Sequence, residues 1–237
     1  MNLLNIENIL FSVVLFVPSL YLWNRLYTNY VRFKKEFEDE KLFYERHNCF
    51  LMYSRKYIKG WPPTYTIKID INNLNLFLEP YLYFINTSKY TLDIAVMSFA
   101  INPLFDALHE AIKKGVKVRL IVNFLSVKTM NMKYNNLMKA GVEIAFYVDK
   151  TEKLNYIMHS KFMVKDYNSC SGFLCMGSMN FTGISTILNN YENVVFTSNM
   201  YIVESFHKNF EKCWKMIKRD NKHIFNRTIL TDAGFIQ

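Results

Sequence analysis

The sequence predicts an α/β domain with a largely parallel central sheet flanked by helices, preceded by an N-terminal membrane-anchor helix. Three observations carry this. Strand-like apolar runs alternate with amphipathic helical stretches from Leu92 to Val148. The chain has 237 residues, 51% of them apolar, enough to bury one full core. And no charge appears from Ile9 to Trp23, with Leu3, Leu4 and Ile6 extending the apolar character upstream past Glu7.

Residues 1–24 are expected to form a transmembrane anchor, with Pro18 tolerable inside a membrane helix. Arg25, Arg32, Lys34 and Lys35 follow the run, which by the positive-inside tendency leaves the rest of the chain in the cytosol. A cleavable signal would place its basic residues before the run instead. Residues 25–73 read as a charged stalk to His47, then an irregular linker broken at Gly60-Trp61-Pro62-Pro63.

The compact domain is expected over residues 74–220. A helix from Leu74 to Ser88 is interrupted or ended near Pro80, and Leu92–Phe99 reads as a strand. Asn102 can cap a helix whose first position is Pro103. Its apolar face is Leu104, Leu108, Ala111 and Ile112, with His109 at the boundary and Gly115 as the stop. A strand Val116–Asn123, a helix Met132–Ala140 and a strand Val142–Val148 complete a second round. Further strands are Lys161–Lys165, Phe173–Met176 and Glu192–Thr197, with a short helix after Asn180. A long helix, Tyr201–Ile217, turns Val203, Phe206, Phe210, Cys213, Trp214 and Ile217 inward. Residues 221–237 read as a loosely ordered basic tail.

Net charge is +9 and the pI about 9.2, which favours polyanionic partners, either nucleic acid or an anionic membrane. Lys113-Lys114-Lys117-Arg119 and Lys208-Lys212-Lys215-Lys218-Arg219 cluster that charge. The cysteines, Cys49, Cys170, Cys175 and Cys213, form no C-x-x-C pair, so reduced thiols are expected rather than a disulfide framework.

The chemical signal is Met158–Asp166, where His159, Lys161 and Asp166 form H-x-K-x4-D. In an extended segment His159 and Lys161 share a face while Phe162 and Val164 alternate inward. An imidazole beside an ammonium supplies a nucleophile or proton carrier together with a fixed charge for phosphoryl oxygens. Gly177-Ser178-Met179-Asn180 offers a hydroxyl and an amide, and Glu192 opens the run Val194-Val195-Phe196. Each piece alone is commonplace. The order and spacing together are not.

This ordered set resembles the phospholipase D superfamily, whose signature is H-x-K-x4-D followed by G-S-x-N. Within it the chain resembles the animal mitochondrial phospholipase D-like (Zucchini) family over roughly Leu92–Ile217 plus the anchor. Ser98-Phe99-Ala100, Lys114-Gly115-Val116-Lys117-Val118-Arg119, Lys139-Ala140-Gly141-Val142 and Asn189-Asn190-Tyr191-Glu192-Asn193-Val194 add to that likeness. The resemblance implies a phospholipase D-like mixed, largely parallel sheet and a homodimer at the mitochondrial outer membrane. It also implies single-stranded RNA endonuclease activity in piRNA biogenesis, with cardiolipin hydrolysis to phosphatidic acid as the alternative. A non-catalytic membrane tether is a third reading, which predicts eroded motif residues, and none is eroded.

The chain departs from the family in three ways. Ten residues separate Asp166 from Gly177, implying a longer hairpin loop around Tyr167–Gly172. Ser160 stands where relatives often carry a second His. The zinc-binding element of relatives is reduced to His47 and Cys49, too few ligands for zinc.

In-line displacement at phosphorus needs groups on both sides, and one His159 cannot serve both. Two copies about a two-fold axis supply them, one His159 as nucleophile and the other as general acid. Lys161, Ser178 and Asn180 are expected to bind phosphate, with Glu192 behind orienting a His159. Asp166, a signature residue, joins the catalytic set with a role that is also open to a structural reading. No metal or cofactor is expected, because no carboxylate cluster is apparent in the sequence.

Overall fold

A computed structural model of the chain describes residues 3–62, 66–70, 74–149, 156–183 and 188–236. Two units separate, Met1–Glu45 and Arg46–Gln237.

The first unit is the bulk of one helix, α1 (Leu3–Arg46), which runs through Pro18 without a break. Anchor and stalk are therefore a single element rather than two. Phe11, Val14, Phe16, Val17, Leu20, Tyr21, Leu22 and Trp23 are all exposed. Among the described residues no helix is long and apolar enough to cross a membrane. The uncharged run from Ile9 to Trp23 is shorter than the roughly 20 residues a bilayer core requires.

The second unit is a nine-stranded sheet, ordered β3-β2-β1-β9-β8-β7-β4-β5-β6. Its strands are β1 (Cys49–Ser54), β2 (Tyr57–Lys59), β3 (Ile67–Lys68), β4 (Thr91–Val96), β5 (Lys117–Asn123), β6 (Glu143–Tyr147), β7 (Lys161–Lys165), β8 (Phe173–Gly177) and β9 (Tyr191–Thr197). The mixed sheet is present, but it is not largely parallel. Among the strands named here, only β4–β5 and β5–β6 pair in parallel. The remaining pairs between these strands are antiparallel, and β7 returns directly into β8 through the hairpin loop 166–172. The expected linker also contributes strands: β1 pairs along its whole length with β9, and β2 and β3 extend that edge. Alternation hid these strands, since β1 buries only Leu51 and Tyr53 and leaves Phe50 and Met52 exposed.

Helices cover both faces. On one lie α2 (Leu74–Asn86, with Pro80 inside), α3 (Asn102–Lys113) and α5 (Asn131–Ala140), the last two linked to their strands through β5 and the short α4 (Phe124–Val127). Helix α3 starts at Asn102 itself, so the cap position falls on Ile101 and Pro103 sits in the first turn. Gly141 ends α5 in the left-handed conformation. On the other face the long helix Met200–Asp220 packs Val203, Phe210, Trp214 and Ile217 against Ala95, Ile121, Ala145, Phe162, Val164 and Leu174. Central strands β4 and β7 are thus buried on both sides, which is why they read as continuous apolar runs.

The expected loose tail is ordered. A final helix, Ile224–Asp232, buries Leu230, and Phe235 beyond it stacks 4.3 Å from Phe146. His47 is fully buried, its ring 4.7 Å from Phe173, and Cys49 opens β1. All four cysteines are free thiols. The short helix expected after Asn180 falls largely on residues 184–187, outside the described residues.

Candidate active site

The motif residues meet at one edge of the sheet, where β4 and β8 end and β7 and β9 begin. Val96, the last residue of β4, pairs with Lys161, the first of β7. Gly177, the last of β8, pairs with Val194 near the start of β9. The approach of the G-S-x-N turn to β9 explains its glycine. A Cβ on Gly177 would collide with the Asn193 carbonyl. Without one, the Ser178 N–H donates to that carbonyl at 3.0 Å and the Asn193 N–H donates back to Ser178 Oγ at 3.1 Å.

Ser178 Oγ donates in turn to Glu192 Oε2, and Asn190 Nδ2 donates to Glu192 Oε1 at 2.9 Å. Within this chain the donors to Glu192 are Ser178 and Asn190, where a His159 ring N–H was expected. Glu192 projects to the same face as Val194 and Phe196, where those two donors are its neighbours.

Lys161 is partly buried at the strand start, and its ammonium donates to the His159 carbonyl at 3.0 Å. Burial lowers its pKa, and the negative charge of Glu192 opposes that shift. In the turn after β8, Asn180 Oδ1 is buried without a hydrogen-bond partner. An unpaired buried amide oxygen costs about 1–3 kcal/mol, so the position is suited to a ligand that completes it. Turning that amide over presents Nδ2, the donor a phosphoryl oxygen needs. The His159 side chain is exposed, and no hydrogen bond or ion pair holds it among the described residues.

Asp166 lies elsewhere. It occupies the opposite end of the motif strand at φ 50°, and its carboxylate accepts from the backbone N–H groups of Lys89, Tyr90 and Thr91 at 2.7–3.1 Å. It ties the turn before β4 to the end of β7. The longer β7–β8 hairpin is as expected, with Asn168 Oδ1 accepting from the N–H groups of Cys170 and Ser171 inside the loop.

Sequence reasoning missed Asn123. It closes β5, is buried, and its Oδ1 accepts from the Met158 N–H at 3.1 Å, immediately before His159. The Met97 N–H donates to the Ser160 carbonyl at 3.1 Å on the other side. Together they set the path of the His159 segment. A lone Asn ending the run Val118–Val122 was the available signal.

A metal-capable cluster, absent from any sequence spacing, also forms. Asp93, His207 and Glu211 bring ligand atoms within 4.8 Å of one another under the long helix. Arg119 already bridges Asp93 (2.6 Å) and Glu211 (2.6 Å), so the network braces the helix on the sheet, away from the motif edge.

A curated relative, the mitochondrial cardiolipin hydrolase of Chlamydomonas reinhardtii, is 30% identical over 141 residues, covering 60% of this chain and 59% of the relative. The human protein of the same name is 28% identical over 128 residues, covering 54% and 47%. The chain thus spans roughly half to three-fifths of the length of the curated relatives it matches. Among solved structures, the phospholipase D family member Nuc from Salmonella typhimurium aligns with a TM-score of 0.48 at 23% identity, covering 56% of this chain and 84% of Nuc. Residues 81–214 match the family described as "Cardiolipin synthase, PLD-like domain". That match takes in more than half of the chain and the whole H-x-K-x4-D and G-S-x-N set, and the protein belongs to the phospholipase D superfamily.

Proposed function

We propose that this chain is a phosphodiesterase that works without a metal, through a phosphohistidine intermediate, and cuts single-stranded RNA. The observation that supports it best is the convergence of Lys161, Ser178, Asn180 and Glu192 on one sheet edge, with a buried amide oxygen on Asn180 left for a ligand. In this reading a His159 ring nitrogen attacks phosphorus and the P–O bond to the leaving oxygen breaks. His159 of a second copy protonates that oxygen, then takes a proton from the water that releases the phosphoryl group. Lys161 and Asn180 hold the non-bridging oxygens as charge builds on them, the task a metal performs in other phosphodiesterases. Asn123 positions the His159 segment.

The net charge of +9 favours a strand of phosphates as substrate, and a part in piRNA production follows with that reading. Cardiolipin is the second reading, favoured by the name the curated relatives carry. In both readings the protein works at the mitochondrial surface. The exposed apolar stretch of α1 attaches it, and the domain after Arg25 faces the cytosol.

Parallel incubation of the full chain with labelled single-stranded RNA and with cardiolipin vesicles, both in EDTA, tests the reading. RNA cleavage that survives the chelator is expected. Cleavage of cardiolipin alone overturns the substrate, and activity restored only by a divalent ion overturns the mechanism. Mixing wild-type chain with excess His159→Ala chain tests the shared site. Heterodimers lose the acid or the nucleophile, so activity falls far below the wild-type fraction. Activity proportional to the amount of wild-type chain overturns the two-copy site.

A further inference from the structure

Strands β1 and β2 are joined by two residues, Arg55 and Lys56, since Ser54 pairs with Tyr57. Both adopt positive φ, 37° and 65°. A two-residue type I′ turn demands this backbone, and it ordinarily selects Asn and Gly. An L side chain in that region costs roughly 1–2 kcal/mol. Two long cationic side chains are a poor choice for folding the hairpin. Strain of this kind concentrates where function holds it in place.

The turn is tied to the segment that leads into β9 and Glu192. The Lys56 N–H donates to the Leu188 carbonyl at 2.8 Å and the Arg55 N–H to the Asn190 carbonyl at 3.3 Å. The Asn190 side chain donates to Glu192, which holds Ser178. A continuous chain of hydrogen bonds therefore links the basic turn to the G-S-x-N segment. Both cationic side chains are exposed. The Arg55 guanidinium lies 5.7 Å from the centre of the Tyr191 ring, which is itself 70% exposed. Tyr57 and Tyr191 pair with Ser54 from opposite sides, so both rings stand on one face of the sheet with the small serine between them.

Exposed aromatic faces with cations beside them suit a single nucleic-acid strand, its bases on the rings and its phosphates on the charges. We propose that the Arg55–Lys56 turn and Tyr191 form a docking subsite for the single-stranded nucleic acid next to the cleaved phosphodiester. This rests on the phosphodiesterase reading above and assigns substrate binding to residues outside both motifs. A lipid headgroup has no base to lay on Tyr191 and no run of phosphates to follow the turn.

The double substitution Arg55→Asn with Lys56→Gly isolates the charges, because Asn-Gly is the preferred type I′ pair and relieves the backbone. In the full chain we expect an unfolding midpoint equal to or above wild type. Hydrolysis of bis(p-nitrophenyl) phosphate, which has no neighbouring phosphate, should be unchanged. For a labelled unstructured RNA oligonucleotide, KM should rise with kcat retained. The slope of log affinity against log salt should flatten by about 1.4, from about 0.7 per lost phosphate contact, so the penalty between about 50 and 200 mM salt shrinks about sevenfold. Tyr191→Leu, on an exposed strand face, should weaken RNA binding at least about fivefold. Wild-type chain that binds RNA, with a double variant of unchanged KM and salt slope, overturns the subsite and leaves the RNA reading standing. Wild-type chain that hydrolyses the small diester and cardiolipin vesicles yet does not bind RNA overturns both.

Discussion

Lys161 and Lys165 begin and end the same five-residue strand and project to the same face of the sheet. At its start, the Lys161 ammonium donates to the carbonyl of His159 and feels the negative charge of Glu192. At its end, Lys165 is fully buried and donates to the Phe84 carbonyl at 3.0 Å and to Thr87 Oγ1 at 2.5 Å, with Phe84 and Phe173 rings around it. Desolvation lowers the pKa of both, and that of Lys165 falls to about 7. One end of the motif strand keeps a cation poised for a ligand, while the other uses its polar groups to lock β7 to α2 and to the turn before β4. Under the proposed function, H-x-K-x4-D divides into a reactive half and an architectural half joined by one strand.

The largest expected effect tests the reactive half. His159→Ala should cut turnover by about 10⁴-fold or more, the upper range for losing acid–base catalysis. Its unfolding free energy should stay within about 0.5 kcal/mol of wild type, because the side chain is exposed. Lys161→Ala should follow it in activity. If Lys161→Ala proved unstable yet active in its folded fraction, the two halves would have been assigned the wrong way round.

Next comes the architectural half. Asp166→Ala removes the acceptor of three backbone amides at the β4 entrance and should cost about 2 kcal/mol in denaturant unfolding. The folded fraction should turn over near the wild-type rate. Asp166→Asn keeps one acceptor oxygen and tolerates the positive φ, so it should recover part of the loss. An Asn variant that is stable but inactive would put the carboxylate back into the chemistry.

The last expected effect is one of pH. Lys165 titrates near 7 when folded and near 10.4 when unfolded, so between those values the unfolded chain holds the extra proton. The contribution of Lys165 to stability is complete above about 10.4 and declines as pH falls toward about 7, at no more than about 1.4 kcal/mol per pH unit. Lys165→Met should remove that slope when unfolding free energy is compared with wild type across the window. An unchanged slope would mean that the buried amine stays charged.

Much of the domain was legible because its signals are local. Apolar runs marked β4, β5, β6 and β7, and a glycine in the left-handed region closed α5 at Gly141. The H-x-K-x4-D and G-S-x-N spacings marked His159, Lys161, Ser178 and Asn180 before any fold was known. Other features had no local signature. Strand β1 carries one buried face and one exposed face, so its six residues resemble a linker until β9 supplies the partner. The direction of most strand pairs depends on how short returns fold back, which residue type does not encode.

Residue chemistry by itself determined which atoms could react: one imidazole, one ammonium, a hydroxyl and an amide at fixed spacing. Only the tertiary structure decided their neighbours. Long-range pairing set Glu192 on Ser178, sent Asp166 to three distant amides and drew the Arg55–Lys56 turn to the Leu188–Asn190 segment. The physical reason is that a hydrogen bond or a desolvated charge depends on distance in space, and for these pairs that distance exists only once β8 lies beside β9, β7 beside β4, and β1 beside β9.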